Sequence, residues 1–233
     1  MIAGMSEKRL RGVHGQTVEA LAGRILAGEI GEGDTLDLPA LREELDVSLT
    51  ALREALKVLS AKGMIDARQK RGTFVQPRSS WNLLDTDVMR WQTQASNTDH
   101  GLFDELTEMR VIVEPAAARL AAERASDADI DALAGALDRM ASARDLAATV
   151  RADLEFHRLL MAATHNAFLT QVERIIAIGL AERDKLVHGT VEDDPVPSHR
   201  AVLDAIRDRS PEAAYEAMRA LVDKSGADLD RLR

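Results

Sequence analysis

Asp153 and His157 stand four residues apart in Asp153-Leu154-Glu155-Phe156-His157, so on a helix they share one face about a turn from each other. A carboxylate and an imidazole at that spacing can grip a divalent metal ion from one side, although such a pair is more often a capping pair or a simple hydrogen bond. His199, which follows Pro197-Ser198 at the start of a later helix, offers a third donor able to point into the same interior. The chain has no cysteine, which excludes disulfides, thiolate zinc sites and cysteine nucleophiles and leaves imidazole and carboxylate as the only strong metal donors. Phe156, Leu159 and Leu160 flank the pair and make its helix largely buried, where an unpaired Asp would be costly. His165 is eight residues from His157, about 80° around a helix, and is a poor fourth ligand. Asn166 beside it suits the cap of the next helix, and His188 reads as a charge at that helix's C-terminus.

A second stretch, Ser48-Leu49-Thr50-Ala51-Leu52-Arg53-Glu54-Ala55-Leu56, offers contacts rather than coordination. Leu52, Ala55, Leu56 and Leu59 form a stripe at helical spacing, leaving Thr50, Arg53 and Lys57 on the wet side. Short hydroxyl side chains at a helix start can meet phosphate, and a forked Arg can meet a guanine edge. The same face could be an ordinary solvated one; the basic turn Lys70-Arg71-Gly72 behind it tips the reading toward DNA. Residues 49–78 hold seven Lys/Arg against Glu54 and Asp66, a net of +5, although the whole chain carries −9. Residues 1–78 balance near neutrality, 12 basic against 11 acidic, while residues 79–233 hold 18 against 28, so the two parts suit different partners.

These residues need elements to position them. Val18, Leu21, Ala22, Ile25 and Leu26 repeat as a helix that Gly28, Gly31 and Gly33 stop; Pro39–Leu45 reads as a short second helix, and Ser48 caps a third running to about Ala61. Lys62-Gly63 ends that helix, and Met64–Arg68 and Thr73–Val75 read as two strands around the basic turn. The first part is therefore a winged helix-turn-helix. From Trp81 onward strand signals almost vanish, and the periodicity predicts helices near 82–94, 102–124 with a kink at Pro115, 127–142, 146–164, 167–187, 197–208 and 211–231. Ser126–Asp129 and Ser210-Pro211-Glu212 are strong starts, and Glu192–Pro197 is the one long loop. The fold class is mainly α, a winged helix over residues 1–78 followed by an all-helical part over 79–233. No apolar run approaches the roughly 18 residues a spanning helix needs and the start lacks a signal peptide's apolar core, so a cytoplasmic protein with no membrane partner is expected.

The segment Ser48 to Leu56, with Gly28 to Leu36 before it and Lys70-Arg71-Gly72-Thr73-Phe74-Val75 after it, resembles the winged helix of GntR-type transcription regulators. The family pattern runs Ser-Arg-Thr-Pro-Val-Arg-Glu-Ala-Leu, and this chain has Leu49 and Ala51 where Arg and Pro are usual. The resemblance implies DNA contacts by Ser48, Thr50, Arg53, Lys57, Lys70, Arg71 and Gly72, with weaker or differently focused contact where Arg is missing. Asp153, His157 and His199 resemble the metal positions of the family's FadR branch, in which one Asp and three His hold a divalent ion; the resemblance implies that residues 79–233 form an antiparallel all-α bundle that binds an effector and dimerises. The position of the third His falls at Leu221, which implies a three-ligand site with room for water or an anionic effector. The ion is expected to be zinc, with nickel or manganese as alternatives. Trp81–Val88 with Trp91, Arg110, Val113-Glu114-Pro115-Ala116 and Ala121–Arg124 most resemble regulators of galactonate catabolism. In them the Arg of Glu-x-Arg, here Arg110, reaches the bound acid; the competing role is a surface ion pair with a nearby Glu. Asn166 is the other expected effector contact, though capping accounts for it as well.

The chain is thus expected to be a homodimeric repressor that binds a palindromic operator, since a two-fold pair of winged helices multiplies affinity over a single one. A small carboxylate such as galactonate is expected to release it. The rival from another class is a metal-dependent hydrolase or isomerase using the same Asp/His site. That rival lacks a base, because Glu155 points away from the face of Asp153 and His157.

Overall fold

The computed structural model describes residues 12–95, 100–187 and 194–230. His188 and part of the Glu192–Pro197 loop lie outside the described residues. The chain divides into two compact units, Met1–Asn97 and Thr98–Arg233.

In the first unit α1 (Val13–Leu26), α2 (Leu38–Glu44) and α3 (Leu49–Ala61) precede a hairpin of β1 (Ile65–Arg68) and β2 (Gly72–Val75). Ser48 caps α3 as expected: its hydroxyl accepts from the Ala51 amide at 3.1 Å. Asp37 does the same for α2, where Pro39 stands in the first turn with no amide proton to leave unpaired. The hairpin pairs antiparallel, Ile65 opposite Val75 and Arg68 opposite Gly72, and Thr35 adds a bridge to Phe74. The predicted stripe of Leu52, Ala55, Leu56 and Leu59 packs with Val18, Leu21, Ile25 and Val75 into one core. Gly63, which ends α3, has φ +75, and a Cβ there would come within 2.2 Å of the Ser80 carbonyl oxygen. Only glycine allows that close approach of two backbones.

A short 3-10 turn at Arg78–Ser80 leads into α4 (Thr86–Ala95). This helix was expected with the C-terminal bundle, but its Val88 and Trp91 join the core of the first unit, and α4 packs on α1. Polar bonds explain why. Trp91 Nε1 donates to Glu19 at 2.6 Å, and Arg90 holds the same carboxylate at 2.6 and 3.2 Å.

The second unit holds α5 (His100–Arg124), α6 (Asp127–Ala141), α7 (Leu146–Ala163), α8 (Ala167–Val187), α9 (Val196–Arg207) and α10 (Pro211–Asp230). All six fall where the periodicity places them, and α5 continues through Pro115. Ser126 and Asp129 form a reciprocal capping box at the start of α6, and Asp145 caps α7. Leu133, Leu137, Phe156, Leu160, Val202, Leu203, Met218 and Val222 fill the main core, with α10 packed along α5 and α9. A smaller cluster joins α8 to α5 and α7 through Ile176, Leu180, Ala117 and Met161. Among the described residues, no helix is long and apolar enough to cross a membrane.

Candidate functional site

α7 presents Asp153 and His157 one turn apart, and the first turns of α9 bring in His199. One ligand atom of each lies within 4.8 Å of the others. His199 Nε2 is 3.0 Å and His157 Nε2 3.8 Å from the Asp153 carboxylate. Phe156 sets the rings, its edge packing at 4.9 Å from His199 and 6.2 Å from His157 between centroids. His199 Nδ1 lies 2.8 Å from the Pro195 carbonyl; donating there leaves Nε2 as a lone pair facing Asp153. That makes a lone pair and a carboxylate oxygen neighbours, an arrangement that requires a proton or a cation between them.

Glu114 of α5, fully buried, completes the arrangement from the opposite side. Its Oε2 lies 3.1 Å from His157 Nδ1, and Arg110 holds its other oxygen at 2.6 Å through Nε. Arg110 also donates to Ser225 Oγ of α10 at 3.0 Å. His157 Nδ1 and His199 Nε2 are buried with no well-aligned hydrogen bond, although each sits near a carboxylate oxygen: the distances suit an ion pair and the angles do not suit a hydrogen bond. Burial pushes the Glu114 carboxyl up, but Arg110 and His157 outweigh it and hold it at about 2. Burial likewise opposes ionised Asp153, yet His157, His199 and Arg110 keep it well below the usual carboxylate range. His157 is raised in spite of its own burial, because Glu114 and Asp153 favour its charged form.

One fully buried carboxylate, Glu114, and one partly buried, Asp153, therefore face one guanidinium and two imidazoles with unsatisfied nitrogens. The donor set suits a divalent ion: Asp153, His157 and His199 as ligands, with the Glu114 carboxylate 3.1 Å from His157 Nδ1 favouring a positive charge on that side. Leu221 lies in the main core, 5% exposed, and offers no donor. Glu114 escapes sequence reasoning as a supporting residue. Its one local signal is Arg110 four residues earlier on the same helix. Arg110 does pair with a nearby Glu, but the pair is buried rather than at the surface.

The other expected residues fall as follows. Asn166 Oδ1 accepts from the Phe168 amide at 2.9 Å and caps α8. His165 is exposed, with φ 52, and meets Asp129 at 3.0 Å, away from the cluster. Glu155 is held by Arg139 at 3.1 Å.

In the first unit Ser48, Thr50, Arg53 and Lys57 are exposed along the outer side of α3. Lys57 pairs with Glu54 at 2.6 Å, while Arg53 has no ion-pair partner among the described residues. At the hairpin turn Lys70 has φ 70 and Gly72 φ 82. Arg71 lies over the Phe74 ring at 3.5 Å and donates to the Gly33 carbonyl at 3.2 Å, so the loop before α2 steadies the turn.

Comparison with known proteins agrees with both halves. Residues 14–75 match the gntR family of bacterial regulatory proteins, and residues 105–224 match the FCD domain. The galactonate operon transcriptional repressor of Escherichia coli K12 is 35% identical over 215 residues, covering 89% of this chain and 93% of its own. The HTH-type transcriptional repressor NanR of Citrobacter rodentium is 30% identical over 222 residues, covering 90% and 82%. Among solved structures, one described by the statement that Lar controls the expression of the Listeria monocytogenes agr system has a TM-score of 0.66 at 18% identity, covering 96% of this chain and 99% of that one. That likeness concerns the fold.

Proposed function

The chain belongs to the GntR family of bacterial regulatory proteins and carries an FCD domain, and from that membership we propose that it represses a sugar-acid catabolic operon until a small carboxylate of the galactonate type binds its second unit. It is a DNA-binding transcription regulator and not an enzyme. The observation that carries the effector reading is the Asp153/His157/His199 cluster with its two buried, unsatisfied imidazole nitrogens. FCD domains often hold a metal, and these three residues would hold one divalent ion, zinc first, nickel or manganese as alternatives. When bound, the ion supplies positive charge and open positions for a carboxylate and an adjacent hydroxyl.

The chain's own residues do the rest. Glu114 orients His157, and Arg110 holds Glu114. Arg110 also places its charge near Asp153 and meets the incoming acid by exchanging its Ser225 contact for the ligand's carboxylate. Leu221 keeps its side of the site free of a protein donor. Asn166 is accounted for by the α8 cap, and the reading gives it no further part. The working unit is a cytoplasmic homodimer on a palindromic operator, with Arg53 reading a base edge and Ser48, Thr50, Lys57, Lys70, Arg71 and Gly72 following the backbone.

Release requires the acid to prefer the state that does not bind DNA; a hundredfold preference is worth about 2.7 kcal/mol. Titrating galactonate, gluconate, a hexuronate and galactose into zinc-loaded protein on operator DNA tests the reading. An acid should weaken the complex, and the neutral sugar should not. A response that survives both Arg110→Ala and metal removal would overturn it. On the DNA side, Arg53→Ala should cost about 1–3 kcal/mol and relax specificity, whereas Lys70→Ala should weaken all sequences alike, read by binding to operator and random duplexes.

A further inference from the structure

The outer side of α3 carries a large apolar side chain as well as its polar ones. Leu49 is the first residue of the helix and is 41% exposed, beside the exposed Thr50 and Arg53. Among the described residues it takes no part in the core of the first unit, to which α3 contributes Leu52, Ala55, Leu56 and Leu59. Nor does the helix start need it. Ser48 supplies the cap at 3.1 Å, and Val47 and Leu52, the two positions whose apolar contact usually fixes a helix entry, both lie in that core already. The first turn of α3 holds no acidic residue, so no side chain there opposes the approach of a phosphate-lined groove. The surrounding stretch, residues 49–78, sets seven Lys/Arg against two acids and attracts one.

We propose that Leu49 reads thymine: its side chain packs on the C5-methyl group of a thymine in the major groove, one or two base pairs from the base edge that Arg53 meets. The inference rests on the base-edge role of α3 given above and adds a second base to the operator. Leu49 and Arg53 are four residues apart, on one side of the helix and about 6 Å apart along its axis, which spans one to two base-pair steps of about 3.4 Å. Thymine alone offers a methyl group in the major groove. Guanine, adenine and cytosine present polar edges there, which leucine would strip of water without returning a hydrogen bond. One apolar side chain therefore attracts thymine and rejects the other three bases.

The test is selection from a randomised duplex library by the full-length protein, as wild type, Leu49→Ala, Leu49→Arg and Arg53→Ala. Anisotropy titrations on the wild-type site follow, with each thymine in turn replaced by deoxyuridine, which lacks only the methyl group. Wild type should select thymine one or two base pairs from the guanine whose selection Arg53→Ala loses. Deoxyuridine at that thymine should weaken wild-type binding about fourfold, the value of one buried methyl group, and should leave Leu49→Ala unaffected. Leu49→Ala should lose the thymine preference while binding random duplexes within about twofold of wild type, and Leu49→Arg should select guanine in its place. Leu49 lies outside the core, so both variants should fold, and the deoxyuridine titration of wild type needs no variant. No deoxyuridine effect at any thymine of the selected site, or one that persists in Leu49→Ala, would overturn the assignment. So would thymine selection unchanged in either Leu49 variant. If wild type selects no sequence, or Arg53→Ala leaves the selection unchanged, the base-edge role of α3 falls and this assignment with it; if Arg53→Ala loses its guanine and only the Leu49 and deoxyuridine arms fail, the Leu49 assignment alone falls.

Discussion

Each unit contains a knot of charged side chains, and the two knots behave differently. In the first, Lys62 holds Asp85 at 2.6 Å and Asp87 at 2.8 Å, while Arg90 and Trp91 both grip Glu19. The acids are 26–30% exposed, so water shares the excess of one negative charge, and each ion finds a partner. In the second, Glu114 is fully buried, His157 and His199 are 3% exposed, and two nitrogens lack a partner. A closed, half-wet network fastens α4 to α1 and the end of α3. The second network leaves two buried imidazole nitrogens without a hydrogen bond, which is the feature the proposed ion would satisfy.

The sharpest way to break this contrast is to remove one member from each. Glu114→Ala leaves Arg110 buried without its counter-ion and should cost about 3–5 kcal/mol in urea unfolding. Lys62→Met leaves Asp85 and Asp87 close to water and should cost about 1–2 kcal/mol. Equal losses would erase the distinction. Next in size is the metal: zinc at a hundredfold excess over its dissociation constant should stabilise the folded second unit by about 2.7 kcal/mol, a rise of roughly 5–10 °C in melting temperature. His199→Ala should abolish that rise, and Lys62→Met should leave it intact. The smallest effect is acid sensitivity in the first knot. Burial opposes ionisation of Asp87, yet Lys62 and Arg90 lower its pKa below the ordinary value. Its contribution is therefore complete above the unfolded value of about 3.9 and drains away as pH falls through the folded value. Asp87→Asn should flatten the stability profile of the first unit below about pH 4, by less than about 1 kcal/mol, in denaturation monitored as a function of pH.

Much of the fold was legible because its signals are local. Helical periodicity, Ser48, the Ser126–Asp129 box and Pro211 are each read within a few residues, and so is the Asp153–His157 spacing. His199 was reachable because it opens a helix after a proline. What stayed hidden depends on distance along the chain. Arg90 and Glu19 are 71 residues apart, and no short pattern announces that they join, so α4 was expected with the wrong unit. Glu114 reaches His157 across two helices. The exposed polar face of α3 was legible from its spacing, but the stacking of Arg71 on Phe74 follows from how the hairpin closes.

Both tryptophans of the chain sit in the first unit. Trp91 is nearly buried and bonded to Glu19, and Trp81 donates to the Gln76 carbonyl at 2.9 Å. With one tyrosine, Tyr215, as the only other phenolic or indole chromophore, light excited at the red edge reports almost wholly on the reading head. The protein thus carries its own optical probe of the half that does not hold the Asp153/His157/His199 cluster. A shift in indole emission on adding zinc or a sugar acid would register, without any label, that an event among Asp153, His157 and His199 has altered the surroundings of the helix that anchors the winged domain.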